Sequence, residues 1–142
     1  DIAALLRSIV CSFRPALDYL SISLKTDIPE SLPLLSLDQT KIRQALLNLL
    51  RNAQEAVQPS QGVISVSASQ IPEGVCISIC DNGCGITDEQ LKEIFHPFIT
   101  YKPSGTGLGL PVTKQIIEAH KGRLEVHSTS GLGTEFQVFL RG

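Results

Sequence analysis

The chain has 142 residues, a formal net charge of −2 and 42% apolar residues, which predicts one compact domain with a hydrophobic core and excludes a disordered tail. The weakly acidic balance argues against binding to nucleic acid or to an anionic membrane surface. No apolar stretch approaches the roughly 20 residues that a helix needs to cross a bilayer, and nothing at the start resembles a signal peptide.

The first forty residues predict a helix followed by two short strands. Apolar residues recur at helical spacing over residues 2–20, where Pro15 is expected to kink or end the helix early. Because Asp1 opens inside this helical pattern, we expect the chain to be a fragment of a longer protein. Alternation predicts a strand over residues 20–24. Residues 34–37 are predicted to form a short second strand that ends at Asp38, which is suited to cap the next helix.

A second helix is predicted over residues 39–57, and its polar residues are concentrated on one side. At 100° per residue they fall within a sector of about 100°, and they are Lys41, Gln44, Asn48, Arg51, Asn52 and Glu55. One interpretation is an ordinary solvated face. The alternative rests on Asn48 and Asn52, because asparagine is a poor helix former and its amide can bind a hard cation or phosphate oxygens.

The second half of the chain is predicted to contain strands, a short helix, a loop and one longer helix. Alternation predicts a hairpin of strands over residues 63–68 and 75–80, and Thr87 with Gln90 predicts a capping box for a short helix. Residues 95–106 have no period and are predicted to form a lid. A helix over residues 108–120 and strands over 123–127 and 134–140 complete the chain.

Four cysteines occur without the paired C-x-x-C spacing of a zinc site. They are Cys11, Cys76, Cys80 and Cys84. This usage favours a reduced cytosolic setting, and we expect the last three to be small buried residues without a metal or redox role.

Two glycine-rich segments suggest a nucleotide site. The first, Asp81 to Gly85, follows an alternating apolar run, where the backbone must turn sharply. The second, Gly105 to Gly109, opens a helix and leaves backbone N–H groups to bind an anion. It is neither a P-loop, which needs Gly-Lys-Ser/Thr, nor a Rossmann fingerprint, which needs G-x-G-x-x-G directly after a strand.

Five motifs appear in a fixed order along the chain. They are Asn48 with Asn52, D-x-G-x-G at 81–85, F-x-P-F at 95–98, G-T-G-L-G-L at 105–110 and G-x-G-T at 131–134. This set resembles the ATP-binding catalytic domain of two-component sensor histidine kinases, within the superfamily that includes gyrase B, Hsp90 and MutL. The resemblance implies an α/β (α+β) fold, a two-layer sandwich in which a mixed, mostly antiparallel sheet packs on about three helices, with a Bergerat-type nucleotide site under an ATP lid.

The resemblance also implies a role for each matching residue. Asp81 would accept from the adenine amine, Thr134 would support the adenine end, and Asn52 would bind Mg²⁺. Asn48 would face the phosphates, and Lys102 would reach the β- or γ-phosphate unless it is only a solvated loop lysine. The remaining nucleotide contacts would come from Gly83, Gly85, Ile86, Gly105, Thr106, Gly107, Leu108 and Gly109.

Two positions depart from the family pattern. Glu55 stands where many relatives carry a lysine or arginine, which makes Lys102 more important, and His96 has no assigned role.

In the ATPase branches a glutamate occupies the position of Asn48 and orients water, whereas an amide is a poor base. The expected reaction is therefore transfer of the ATP γ-phosphoryl group to a protein histidine rather than rapid hydrolysis.

The expected partners lie outside these 142 residues. The resemblance implies a histidine-bearing dimerisation domain of the same parent protein, connected through residues 1–20, and a downstream response regulator. We expect a homodimeric parent, a cytoplasmic domain without nucleic acid or direct membrane contact, and a parent that can still be membrane-anchored. Two alternatives remain open: a non-catalytic ATP-gated interaction module and an anti-sigma-type serine kinase.

Overall fold

The computed structural model describes residues 1–95 and 109–141, which form four helices and five strands. In chain order these elements are α1 (Ile2–Tyr19), β1 (Ser23–Asp27), α2 (Gln39–Ala56), β2 (Val63–Ile71), β3 (Gly74–Asp81), α3 (Asp88–Leu91), α4 (Gly109–Ala119), β4 (Arg123–Thr129) and β5 (Gly133–Arg141).

The five strands form one mixed sheet in the order β1-β2-β3-β5-β4. Strand β1 runs parallel to β2, and the other neighbours are antiparallel. Burial alternates along the central strands, so one face of the sheet is apolar and buried while the other carries polar side chains. The predicted mixed and mostly antiparallel sheet is confirmed.

The long helices α1, α2 and α4 supply the second layer of the sandwich. Helix α2 packs against α1, α4 and β3, and its apolar side, with Leu46 and Leu49 fully buried, faces the core. At roughly 25 cal/mol per Å² of apolar surface, each such leucine contributes about 2 kcal/mol to folding. The predicted packing of a sheet on about three helices is confirmed.

Side-chain caps begin two of these helices where the sequence predicts them. The carboxylate of Asp38 accepts from the backbone N–H of Lys41 at 3.2 Å at the start of α2. Thr87 and Gln90 form the reciprocal capping box of α3, with both hydrogen bonds at 3.1 Å. Because a cap depends only on residues within one turn, local sequence was sufficient to find it.

One prediction about the first forty residues is wrong and another is wrong in part, because α1 does not end early at Pro15. Helix α1 continues through Pro15, because Phe13 and Leu17 on either side are buried and hold the helix against the core. The predicted strand over residues 34–37 does not form. Leu34 is 80% exposed, whereas Leu35 and Leu37 pack against the core from an irregular segment.

The cysteines also differ from the prediction. Cys84 is exposed, and Cys76 and Cys80 are only half-buried, because they lie on the polar face of β3 rather than on its core face. Burial raises the pKa of the Cys80 thiol above its ordinary value, the hydrogen bond between Cys80 and Ser78 opposes this in part, and the Glu135 carboxylate reinforces it. Burial also raises the pKa of Cys76, with Glu135 as the second cause.

Within residues 1–95 and 109–141, no helix combines the length and the apolar character needed to cross a membrane.

Candidate functional site

Asp81 and Thr134 lie side by side at one end of the sheet. They are directly opposite each other in the antiparallel pair of β3 and β5, and they are only 9% and 6% exposed. One carboxylate oxygen of Asp81 accepts the backbone N–H of Gly83 at 2.9 Å. This bond within the turn fixes the orientation of the nearly buried carboxylate. A carboxylate with a fixed orientation is suited to specific hydrogen bonding with a ligand.

The turn that follows β3, residues 81–86, is held between α2 and the β4–β5 hairpin. A Cβ atom on Gly83 would lie 2.3 Å from the carbonyl oxygen of Ala56 at the end of α2, and the N–H of Cys84 donates to that same oxygen at 3.2 Å. On the other side the N–H of Gly131 donates to the Cys84 carbonyl at 2.7 Å. Gly85 has a φ of +74°, a conformation that favours glycine.

Asn82 anchors this turn to the sheet. Its side-chain oxygen accepts the N–H of Val63 at 2.7 Å, and its side-chain nitrogen donates to the Gln61 carbonyl at 3.1 Å. The residue therefore serves the geometry of the turn rather than offering its amide to a ligand.

The two asparagines of α2 lie on the same side of the helix as the contact with the turn. Asn48, Asn52 and Ala56 are spaced four residues apart and form one stripe, and Ala56 meets Gly83. Both asparagines are half-buried. The contact between Ala56 and Gly83 thus brings the end of the asparagine stripe to the turn that follows Asp81.

Phe95, which precedes the glycine-rich segment in the chain, contacts α4, which follows that segment. Helix α4 begins at Gly109 and packs beside α2, and the ammonium group of Lys114 lies 5.0 Å from the centre of the Phe95 ring. Other predicted residues lie outside the described part of the chain, namely Lys102, Gly105, Thr106, Gly107 and Leu108. The predicted lid, apart from Phe95, and His96 lie there as well.

An open cleft of about 600 Å³ adjoins the buried acid. Asp81, Ser128 and Thr134 line it together with Leu91 and Leu132, whereas the lining does not include the asparagine stripe. The cleft therefore corresponds to the Asp81 end of the candidate site rather than to the end expected to hold phosphates.

A serine that the sequence analysis did not select completes this end of the site. The hydroxyl oxygen of Ser128 accepts the N–H of Ile86 at 2.7 Å, donates to the Gly133 carbonyl at 2.9 Å and lies 2.8 Å from the Thr134 hydroxyl. The sequence did contain a pattern that could have indicated this serine. Every second residue of β4 faces the core, and this series consists of Leu124, Val126 and Ser128. A hydroxyl in that series marks a position where packing alone would favour an apolar residue.

The residues present fit a cation that is shared with a ligand. Within the described ranges, no group of three or more His, Cys, Asp or Glu side chains could hold a metal ion, whereas Asn52 offers a hard amide oxygen. Mg²⁺ prefers oxygen ligands and usually keeps few protein contacts besides water and substrate phosphates. One amide oxygen, as Asn52 carries, is consistent with this mode of Mg²⁺ binding.

Known proteins are similar to this chain in sequence and in fold. A family model described as histidine kinase-, DNA gyrase B- and HSP90-like ATPase matches residues 37–142. Sensor histidine kinase ZraS of Escherichia coli (strain K12) is 44% identical over 119 residues, which are 84% of this chain and 25% of that protein. Sporulation kinase B of Bacillus subtilis (strain 168) is 36% identical over 140 residues, which are 99% of this chain and 32% of that protein.

A solved structure gives the same picture. The nucleotide-free catalytic domain of histidine kinase ThkA matches with a TM-score of 0.85 and 32% identity, over 97% of this chain and 90% of that domain. By contrast, the chain spans only about a quarter to a third of the length of the two curated relatives.

Proposed function

The chain belongs to the family of histidine kinase-, DNA gyrase B- and HSP90-like ATPases, as an ATP-binding catalytic domain of the sensor histidine kinase type, and from that premise we propose the reaction that it performs. The domain passes the γ-phosphoryl group of ATP to a histidine on a separate dimerisation domain of the same parent protein. A ring nitrogen of that histidine attacks the γ-phosphorus, the bond to the oxygen bridging the β- and γ-phosphates breaks, and ADP leaves.

The observation that carries this proposal is the buried pair of Asp81 and Thr134 beside a turn that α2 holds in place. A carboxylate fixed by the N–H of Gly83 presents acceptor oxygens, which suit the exocyclic amine of adenine. A base that carries an oxygen at that position would meet a like group and be disfavoured.

Phosphate binding is assigned to the opposite end of the site. Asn52 would hold Mg²⁺ together with phosphate oxygens, and the ion would supply positive charge that stabilises the transferring group. Asn48, one helical turn earlier, would donate its amide N–H to a phosphate oxygen. The residues that lie outside the described ranges, Lys102 and the series Gly105, Thr106, Gly107 and Leu108, are proposed to complete the phosphate contacts at the start of α4.

Asn48 also explains why transfer is preferred to hydrolysis. Its amide has no proton affinity suited to a general base, so it does not activate a water molecule. Phosphoryl transfer depends chiefly on the alignment of an in-line nucleophile, and the proposed nucleophile belongs to another domain. The isolated domain should then hold ATP with little turnover.

The remaining proposals concern the parent protein. Residues 1–142 would form one catalytic domain in which α1 continues the connection from the dimerisation domain, and a response regulator would receive the phosphoryl group. We propose a homodimeric parent and a cytoplasmic location for this domain.

Label transfer tests the reaction. The domain is incubated with Mg²⁺ and ATP labelled in the γ-phosphate, and the parent's histidine-bearing segment is then added in trans. Acid-labile label that appears only on the added segment is the expected result. Acid-stable label would indicate a serine kinase, and rapid hydrolysis before the addition would contradict the proposal. Binding without transfer would favour an ATP-gated interaction module.

A matched pair of variants makes this assay specific. Asn52→Ala should remove the transfer, because it deletes the proposed cation ligand. Gln58→Ala, which truncates an exposed side chain just beyond α2, should transfer label at the rate of the unmodified domain.

A further inference from the structure

Ser128, Thr134 and Asp81 form a row across three neighbouring strands. Ser128 pairs with Thr134 between β4 and β5, and Thr134 pairs with Asp81 between β5 and β3. We infer that Ser128 is a positioning residue that fixes the Thr134 hydroxyl as a hydrogen-bond acceptor and thereby sets the preference of the site for the nucleotide base. The inference rests on the proposed function, because it concerns how that nucleotide is selected.

The assignment follows from counting hydrogens. A serine hydroxyl carries one hydrogen and two lone pairs. The Gly133 carbonyl can only accept, so the hydrogen of Ser128 points toward it at 2.9 Å. One lone pair of Ser128 accepts the N–H of Ile86 at 2.7 Å. The contact of 2.8 Å with Thr134 must then have Thr134 as the donor.

This direction determines what Thr134 offers to a ligand. Its only hydrogen is directed at Ser128, so its two lone pairs are what remains for other partners. The neighbouring Asp81 carboxylate is also an acceptor, and one of its oxygens already accepts from Gly83. Two adjacent acceptors at a buried position favour a base that presents N–H groups, as adenine does, and disfavour the 6-oxo group of guanine.

The hydrogen bonds of Ser128 also fix the position of the 81–86 turn relative to the β4–β5 hairpin. The same oxygen joins the 81–86 turn through Ile86 to the β4–β5 hairpin through Gly133. Removing it would lower nucleotide affinity in general by loosening the turn. Only the loss of the fixed hydroxyl direction would change the ratio of affinities for the two bases, and this ratio is therefore the informative measurement.

The experiment measures the dissociation constants of non-hydrolysable ATP and GTP analogues, with Mg²⁺, for matched variants. Ser128→Ala frees the Thr134 hydrogen to turn toward the 6-oxo group, so the preference for ATP should fall about five- to tenfold, the value of one neutral hydrogen bond. Ser128→Thr keeps the hydroxyl and should restore the preference. Ser130→Ala, which removes an exposed hydroxyl from the same hairpin, should leave both constants unchanged.

A double-mutant cycle tests whether Ser128 acts through its neighbour. In a Thr134→Val background there is no hydroxyl to direct, so adding Ser128→Ala should not change the ATP-to-GTP ratio further. If Ser128→Ala does not fold, the nearly isosteric Ser128→Cys, whose sulfur is a weak acceptor, should shift the ratio in the same direction.

The outcomes separate this inference from the proposed function. An unmodified domain that binds the ATP analogue, combined with a ratio that neither Ser128→Ala nor Ser128→Cys alters, would overturn the inference alone. Independent effects of the two substitutions in the cycle would do the same. An unmodified domain that binds neither analogue would overturn the proposed function, and this inference with it.

Discussion

Replacing Gly83 by alanine tests whether the turn after β3 requires its close approach to α2. The added Cβ would lie 2.3 Å from the oxygen and 2.6 Å from the carbonyl carbon of Ala56. Ordinary contacts begin near 3.4 Å, so the turn and the helix end must separate by about 1 Å. Neither side can yield by rotating a flexible side chain, because the atoms that collide belong to the backbone.

The magnitude follows from the bonds that such a shift would break. The Cys84 N–H donates to the Ala56 oxygen at 3.2 Å, and the Gly83 N–H donates to Asp81 at 2.9 Å. At about 1 kcal/mol for each of these two bonds, the free energy of unfolding should fall by about 2 kcal/mol. In a domain of this size that corresponds to a melting temperature lower by about 5 to 10 °C.

Gly131→Ala is the matched control. Gly131 has a φ of +83° and no atom within 4 Å of an added Cβ, so its replacement costs only the strain of a left-handed conformation, about 1 kcal/mol. Urea denaturation should therefore rank Gly83→Ala as the more destabilising change. Because loss of the Gly83 bond releases the Asp81 carboxylate, calorimetry should also show that the affinity for an ATP analogue falls at least about tenfold.

Two results would refute this reasoning. If Gly83→Ala unfolds at the same urea concentration as Gly131→Ala, the close approach does not determine the choice of glycine. If it is destabilised but binds the analogue normally, the turn does not hold Asp81 for the ligand.

Three further predictions concern single side chains. Asn52→Ala should abolish Mg²⁺-dependent ATP binding without unfolding the domain, and calorimetry that shows unchanged affinity would exclude Asn52 as a cation ligand. His120→Ala should lower the free energy of unfolding by about 1 kcal/mol. Nε2 of His120 accepts the Asp38 N–H at 3.0 Å, and this bond joins the end of α4 to the start of α2. An unchanged urea midpoint would contradict this prediction. Cys80, whose pKa lies above the ordinary 9.0 through burial, should react with a thiol reagent more slowly than the exposed Cys84, and Glu135→Gln should accelerate it. Equal labelling of Cys80 and Cys84 would contradict the raised pKa of Cys80. Since the pKa of Cys80 is higher in the folded than in the unfolded chain, the free energy of unfolding should decline as the pH rises above 9.0.

Most secondary structure could be predicted because its causes are local. The caps at Asp38 and Thr87 use hydrogen bonds within three residues, and the alternation along β2, β3 and β5 reflects a sheet with one buried face. The predicted strand at residues 34–37 does not form, because a short apolar segment does not reveal whether a neighbouring strand is present to pair with it. Pro15 was expected to interrupt α1, but the buried neighbours of this residue hold the helix intact.

The candidate site was only partly accessible from the sequence. The family resemblance selected Asp81, Thr134 and Asn52 as candidates, because these positions belong to motifs with fixed spacing. Ser128 belongs to none of the five motifs, and its importance depends on three hydrogen bonds to residues between 5 and 42 positions away. No local pattern specifies bonds of that kind.

The sequence by itself determined the positions of most helices and strands and the family that the motifs resemble, since periodicity, caps and motif spacing depend on neighbouring residues. Only the tertiary structure decided that β1 pairs with β2 in parallel, that Gly83 is needed for contact with Ala56 and that Cys84 is exposed. These features depend on which distant segments meet. These tertiary contacts are determined by the packing of all the elements into one core. Packing is a property of the whole chain, and no short segment specifies it.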